Sequence, residues 1–323
     1  MKHGRPPELT TIPERYAWDP NTPAALAARA LRRAARRQYK KVRAGHRGAA
    51  YNTGKGSKRE LIVDLCCGTA TSATLFHLLR SPNTFVLGVD RDCDEAWVRG
   101  HLPASVQDRF VFVNADVKDI NLSFLKKELM KAWGSEAQLC EITHVHWSPP
   151  CTSTSRASRG LGGHRNLDGT ARSPTAVADD FALEKGVELC ERLSRVVPTA
   201  LFTIENPMND VFPFLPGIRR PLSQRGWRML TTSYCKCAGP NDPGDWPQKD
   251  TNVLVKGVPR NFELPLCDWD CDYLLPGCNR HRRALCRSRH NHPDQVVIDD
   301  PFDKGRIPQG LFERTFKAHG DWE

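Results

Sequence analysis

The sequence predicts an α/β fold: a doubly wound, largely parallel sheet with a small, irregular, Cys/His-containing region attached. Three observations carry this. Five short apolar runs recur through the middle of the chain, and each ends in a polar cluster. Helix-forming stretches separate them, as crossover connections between parallel strands require. From about Ser233 to Val297 the pattern loosens into Pro, Gly, Trp, Cys and His, too irregular to continue the same alternation.

In chain order, residues 1–58 read as a basic arm and linker. Residues 1–60 hold 15 Lys/Arg against 4 Asp/Glu, so the net charge of +10 for all 323 residues resides in this arm. Such an arm suits nucleic acid, because neutralising phosphates releases condensed counterions. A helix is expected over Ala24–Arg43, with only a thin apolar stripe, and the chain then passes through Asn52–Ser57, a linker by composition. Residues 59–232 form the expected sheet domain, with strands at Leu61–Leu65, Phe85–Asp90, Phe110–Val113, Ile142–Trp147 and Leu201–Ile204. The helix signals are clearest at Ala73–Leu79 and Ala176–Arg195. Residues 233–297 are expected to form a small recognition region that contains one strand, Asn252–Val255. Residues 298–323 should return to the sheet domain as a turn and an amphipathic helix ending near His319.

No stretch approaches the roughly 20 apolar residues of a membrane-spanning helix. The basic N-terminus has no apolar core behind it, and the 12 cysteines do not form a disulfide-framework pattern. The expectation is a soluble intracellular monomer without membrane partners, in the nucleus of a eukaryote or otherwise in the cytoplasm.

The strand ends carry the chemistry, since ligands of such sheets bind at the carboxyl ends of the strands. After the first strand, Asp64, Cys66, Gly68 and Thr69 lie on a tight small-residue turn that lets backbone N–H groups approach a nucleotide-like ligand. Asp90 ends the second strand, placed for ribose hydroxyls, and Asp116 follows the third, placed for an adenine amino group. A lone strand-end acid is often only a cap, but three in succession favour an adenosyl cofactor. Pro149 and Pro150 stiffen the exit of the fourth strand and present Cys151, a candidate nucleophile. Glu205, with Asn206 and Pro207, ends the fifth. A thiol and a carboxylic acid converging on one base are what attack at cytosine C6 requires, because that carbon is a poor electrophile until N3 is engaged by an acid.

These motifs, in this order, resemble the C5-cytosine-specific DNA methyltransferase family, and its compact, phage-type branch in particular. Asp64-Leu65-Cys66-Cys67-Gly68-Thr69 resembles the family's cofactor motif. Pro149-Pro150-Cys151-Thr152, with Ser155 and Ala157, resembles its nucleophile motif, and Glu205-Asn206 its Glu-Asn motif. The resemblance spans about residues 60–320. It implies a Rossmann-like, S-adenosylmethionine-dependent methyltransferase sheet, with Cys151 as nucleophile, Glu205 on the cytosine N3 edge, and Asp64, Asp90 and Asp116 around S-adenosylmethionine. The chain departs from the pattern at Ala70, Thr71 and Thr152. Gln248-Lys249-Asp250-Thr251 and Gly305-Arg306-Ile307-Pro308 stand where the compact branch has its later segments.

Partners and metal complete the expectations. Ser153–Arg172 reads as a loop closing over a flipped-out base of duplex DNA, with Arg156, Arg159 and Arg165 available to phosphates and Lys249 and Thr251 as further nucleic-acid contacts. RNA stays open as substrate, because the fold and the reacting pair do not distinguish it from DNA. A binding relic with a degraded cofactor site stays open because of Ala70-Thr71. Cys267, Cys271, Cys278 and His281, with Cys286, His290 and His292 beyond, are dense enough for a structural zinc site that would brace the recognition region.

Overall fold

The computed structural model describes residues 59–320 except 135–136, 155–162, 167–168, 209–210, 240–241, 243–244, 277, 279, 286–293 and 299–305. The basic arm and its expected helix therefore lie outside the described residues, as do Arg156, Arg159, Cys286, His290 and His292.

The strands are β1 (Glu60–Leu65), β2 (Thr84–Asp90), β3 (Phe110–Asn114), β4 (Ile142–Trp147), β5 (Leu201–Pro207), β6 (Trp227–Ser233) and β7 (Asp250–Lys256). They form one seven-stranded sheet in the order β3-β2-β1-β4-β5-β7-β6. The first five run parallel, and β7 pairs antiparallel with both β5 and β6. This is the Rossmann-like α/β architecture that the alternating pattern predicts. The strand order reverses between β1 and β4, which pair directly with Leu65 opposite Trp147. Chain exits diverge at such a switch point and leave a crevice there.

Alternation along β1 shows how the sheet is buried on both faces. Leu61, Val63 and Leu65 join one apolar cluster, and Ile62 joins another on the opposite side. The helices are α1 (Ala73–Arg80), α2 (Glu95–Gly100), α3 (Leu122–Trp133), α4 (Pro174–Val196), α5 (Pro216–Leu222), α6 (Tyr234–Cys237) and α7 (Gln309–Gly320). In α4 the Ser173 hydroxyl accepts the Ala176 N–H at 3.2 Å, and Pro174 occupies the first turn. Leu183, Val187, Cys190 and Leu193 then bury one stripe, each contributing roughly 1.5–3 kcal/mol relative to exposure. Gly186 lies on that stripe because the Trp147 indole presses against it, and a Cβ there would stand 2.3 Å from Trp147 Cη2.

Sequence pattern and structure part company after Ser233. The segment expected to form a separate region contributes β7 to the main sheet, between β5 and β6, so part of that segment belongs to the sheet itself. β6 is not evident as an apolar run, because Arg228, Thr231 and Thr232 interrupt it. Between β7 and α7, the described residues form regular strands only in the two-residue β8 (Arg283–Ala284) and β9 (Val296–Val297). The chain then returns as expected: the Ile307 N–H donates to Ser72 Oγ at 3.0 Å, and α7 packs on α1 with the Phe76 and Phe312 rings 6.2 Å apart. Among the described residues, no helix is long and apolar enough to cross a membrane.

Candidate active site

The turn after β1 is built from left-handed residues: Cys66, Gly68 and Ala70 have φ of 56°, 53° and 58°. Glycine takes that conformation at little cost, and a Cβ on Gly68 would meet no atom within 4 Å, so the turn has an open face. Asp90 borders it. Its Oδ2 accepts the Gly68 N–H at 3.0 Å, and its Oδ1 accepts the Asp92 N–H at 2.8 Å. An open turn edged by an oriented carboxylate fits the ribose and backbone contacts of an adenosyl ligand. Thr69 lies on the same turn, its hydroxyl 2.7 Å from that of Thr71.

Asp64 and Asp116 are engaged with protein groups. Asp64 is buried and accepts from the Thr74 N–H at 3.2 Å and the Thr74 hydroxyl at 2.6 Å, which locks β1 to the start of α1. Burial is the main cause that pushes its carboxyl up to about 7, with the Thr74 bonds opposing. Burial likewise pushes the Cys66 thiol up to about 12, so that thiol stays protonated. Asp116 caps a short turn through the Lys118 N–H and pairs with Arg91 at 2.9 Å and Lys118 at 3.1 Å. Burial acts to raise its carboxyl, but these partners outweigh it and leave it below the usual range.

Cys151 follows β4 and Glu205 lies in β5, parallel neighbours whose ends point the same way, and Cys151 lies within reach of the Glu205 charge. Pro149 is buried under the strand exit, while Pro150 is exposed. Thr154, not singled out from sequence, braces the turn. Its N–H and hydroxyl approach the Cys151 carbonyl at 3.1 and 3.3 Å, and its hydroxyl lies 3.1 Å from Asn206 Oδ1. Cys151 feels the fields of Lys249 and Glu205. Burial raises its thiol most, Lys249 lowers it, and Glu205 and Asp179 add to the rise, for a net upward shift. The resting group is therefore a thiol, with Lys249 as the cation that favours the thiolate.

Glu205 is 4% exposed, and two hydroxyls meet its Oε1: Tyr234 donates at 2.6 Å and Thr251 approaches closely. Among the described residues no donor reaches Oε2, which leaves that oxygen for another group. Thr251 also lies 2.8 Å from the Asn206 carbonyl, so its single proton is shared. The sequence places Tyr234 in a segment resembling the compact branch, Ser233-Tyr234-Cys235, without giving it a contact; the structure puts its hydroxyl on Glu205. Its ring lies 4.6 Å from Lys249 Nζ, and its N–H donates to the Lys249 carbonyl at 3.0 Å.

Two nucleic-acid expectations are corrected. Thr251 has no exposed surface and serves Glu205 from within the sheet, so it does not face a phosphate. Arg165 is not presented to solvent either. Its guanidinium pairs with Asp180 at 2.6 and 3.0 Å and with Ser153 Oγ at 3.0 Å, and its side chain is 5% exposed. Arg165 itself is thereby tied to α4, since Asp180 lies on its first turns.

The metal expectation is revised in membership. Cys267, Cys271 and His281 come together, but their fourth neighbour is Cys235 of α6. Cys278 lies outside the group, its sulfur 3.9 Å from the Leu275 carbonyl. A cavity of about 480 Å³ opens nearby, lined by Trp246, Leu275, Arg282, Arg283 and Arg306 among others, and not by the strand-end residues.

A chain of buried polar groups also went unseen. His77 Nε2 lies 2.6 Å from His144 Nδ1, and His144 Nε2 and His146 Nδ1 each lie 2.8 Å from Thr203 Oγ1. His146 Nε2 reaches Ser148 Oγ at 2.9 Å, three residues before Cys151. Burial holds all three imidazoles neutral, His146 down to about 3.

No protein-family model matches the chain, and no curated protein sequence matches it. Solved structures with a similar chain path include methyltransferases. The Dnmt2 methyltransferase of S. pombe is 12% identical, with 62% of this chain and 50% of that one covered and a TM-score of 0.35. A human methyltransferase 10 domain containing protein is 10% identical, over 66% and 75%, with a TM-score of 0.36. TrmN from Thermus thermophilus is 13% identical, over 61% and 43%, with a TM-score of 0.32. This chain thus spans half or less of the Dnmt2 and TrmN chains. At these identities and scores, none of the three assigns it an activity.

Proposed function

We propose that this protein is an S-adenosylmethionine-dependent DNA (cytosine-5-)-methyltransferase that acts through a covalent bond from Cys151 to the base. The observation that carries this reading is the pairing of Cys151 and Glu205 at adjacent parallel strand ends, beside the switch point and next to the open turn that ends β1. Cys66, Gly68, Thr69 and Asp90 would hold the cofactor, which supplies an electrophilic sulfonium methyl group when bound.

The chain's own residues account for the rest. Lys249 offsets part of the cost of ionising Cys151, whose thiolate adds to cytosine C6. That addition breaks the C5=C6 π bond and leaves an electron pair at C5, where the methyl group is accepted. Glu205 would donate a proton from Oε2 to N3 while Tyr234 and Thr251 fix Oε1, which orients the carboxyl group toward the base. A base, water at its simplest, takes the C5 proton; the C5–H electron pair reforms the C5=C6 bond, and the C6–S bond breaks with its pair on sulfur, which releases Cys151 as the thiolate. A cytosine reaches such a site only when turned out of the stack.

The test is transfer of labelled methyl from S-adenosylmethionine to duplex DNA and to total RNA, with Cys151→Ala in parallel. Label in DNA that disappears in the variant supports the reading. Label confined to RNA keeps the mechanism and changes the substrate. Folded protein that labels neither refutes it.

A further inference from the structure

Cys235, Cys267, Cys271 and His281 offer one ligand atom each, and all four atoms lie within 4.8 Å of one another. Zinc with Zn–S near ~2.3 Å and Zn–N near ~2.0 Å places tetrahedral ligand atoms roughly 3.5–3.8 Å apart. His281 Nε2 lies 3.6 Å from Cys267 Sγ and 3.1 Å from Cys271 Sγ, close to that spacing. The cysteines are free of disulfides, and His281 is 4% exposed, its carbonyl held by Gln295 Nε2 at 2.7 Å. Three thiols and an imidazole in a closed set match a structural zinc site, which keeps no open position for substrate.

We infer that Cys235, Cys267, Cys271 and His281 bind one structural zinc ion that ties the irregular segment after β7 to the end of β6. The segment needs such a tie because its described residues form only the two-residue strands β8 and β9. The ion also reaches the active site through the chain. Cys235 directly follows Tyr234, which holds Glu205, and the Cys267 N–H donates at 2.9 Å to Ser233 Oγ on the other side of Tyr234. The zinc therefore positions the carboxylate's support without touching substrate. This assignment does not depend on the reaction proposed above.

The test is zinc content by elemental analysis of the full chain, purified without chelator and dialysed, together with cobalt(II) reconstitution of the unaltered protein. One zinc per chain is expected, retained in Cys278→Ser and lost in Cys271→Ser and Cys235→Ser. The cobalt form should show the intense visible bands of tetrahedral thiolate ligation. Because that measurement uses the unaltered chain, it stands even if Cys235→Ser fails to fold. Folded protein without zinc, zinc that survives Cys271→Ser but leaves with Cys278→Ser, octahedral cobalt spectra, or a Cys235–Cys267 disulfide in non-reduced peptide maps would each overturn the assignment.

Discussion

Replacing Tyr234 with Phe removes one hydroxyl and little else, because the ring is fully enclosed and packs edge-on to Trp246 at 6.0 Å. The lost bond runs to a carboxyl group that is 4% exposed, where solvent offers no substitute. A buried hydrogen bond to such a group contributes about 1.5–3 kcal/mol. Thr251 can compensate only in part, since its one proton also serves the Asn206 carbonyl. If the loss falls on the transition state, the conversion is about 10- to 150-fold in kcat. The same loss in the ground state lowers Tm by about 3–12 °C for a domain of this size. The assay pairs steady-state methyl transfer with thermal unfolding, and Thr251→Val closes a double-mutant cycle with a coupling energy above about 0.5 kcal/mol. Tyr234→Phe with full activity and an unchanged Tm would refute the claim that Tyr234 fixes the catalytic carboxylate.

Other predictions follow from the same geometry. Lys249→Met removes the cation that favours the Cys151 thiolate, so the acid limb of the pH profile of kcat/KM should move to higher pH. A profile that drops uniformly without moving would assign Lys249 to binding alone. The buried imidazoles of His77, His144 and His146 are neutral when folded but titrate near 6.5 when unfolded, so the unfolded chain takes up their protons first on acidification. Stability should fall as pH drops below about 6.5, by roughly 1.4 kcal/mol per pH unit for each imidazole. Asp64 works in the opposite direction between 3.8 and about 7, offsetting one imidazole. Urea unfolding at pH 7 and pH 5 measures the net slope, and equal stabilities would contradict it. Gly186→Ala forces a methyl group against Trp147 and should cost about 1–3 kcal/mol in the same experiment, with no change in the m-value.

Much of the fold is legible in the sequence because a parallel sheet covered on both faces needs apolar runs, and β1, β2 and β3 each supply at least three apolar residues in succession. β6 escapes because its charged and hydroxyl residues break the run, and its neighbour in the sheet is β7, not β5. The positions of the proposed pair, Cys151 and Glu205, are legible because both sit at strand ends, where local sequence decides position. What supports the pair is not legible: Tyr234 and Thr251 reach Glu205 from 29 and 46 residues away. Cys235 meets Cys267 only through the packing of α6 on the later loop, which no local cysteine spacing encodes. The alternation of His144 and His146 along β4 was a readable signal, since i and i+2 share a face, but their partner Thr203 lies on the next strand. Arg165 reads as a phosphate contact by composition, and only the position of α4 reveals Asp180 as its partner.

The central claim is that Cys151 bonds to cytosine C6 during turnover, and trapping that bond tests it most directly. An oligonucleotide duplex carrying 5-fluorocytosine, incubated with the protein and S-adenosylmethionine, cannot lose a C5 proton and should hold the adduct. The account predicts a complex that survives denaturing electrophoresis, maps by peptide mass spectrometry to Cys151 and is absent from Cys151→Ala. A protein that methylates cytosine yet forms no such complex, or forms it through another cysteine, would contradict the account.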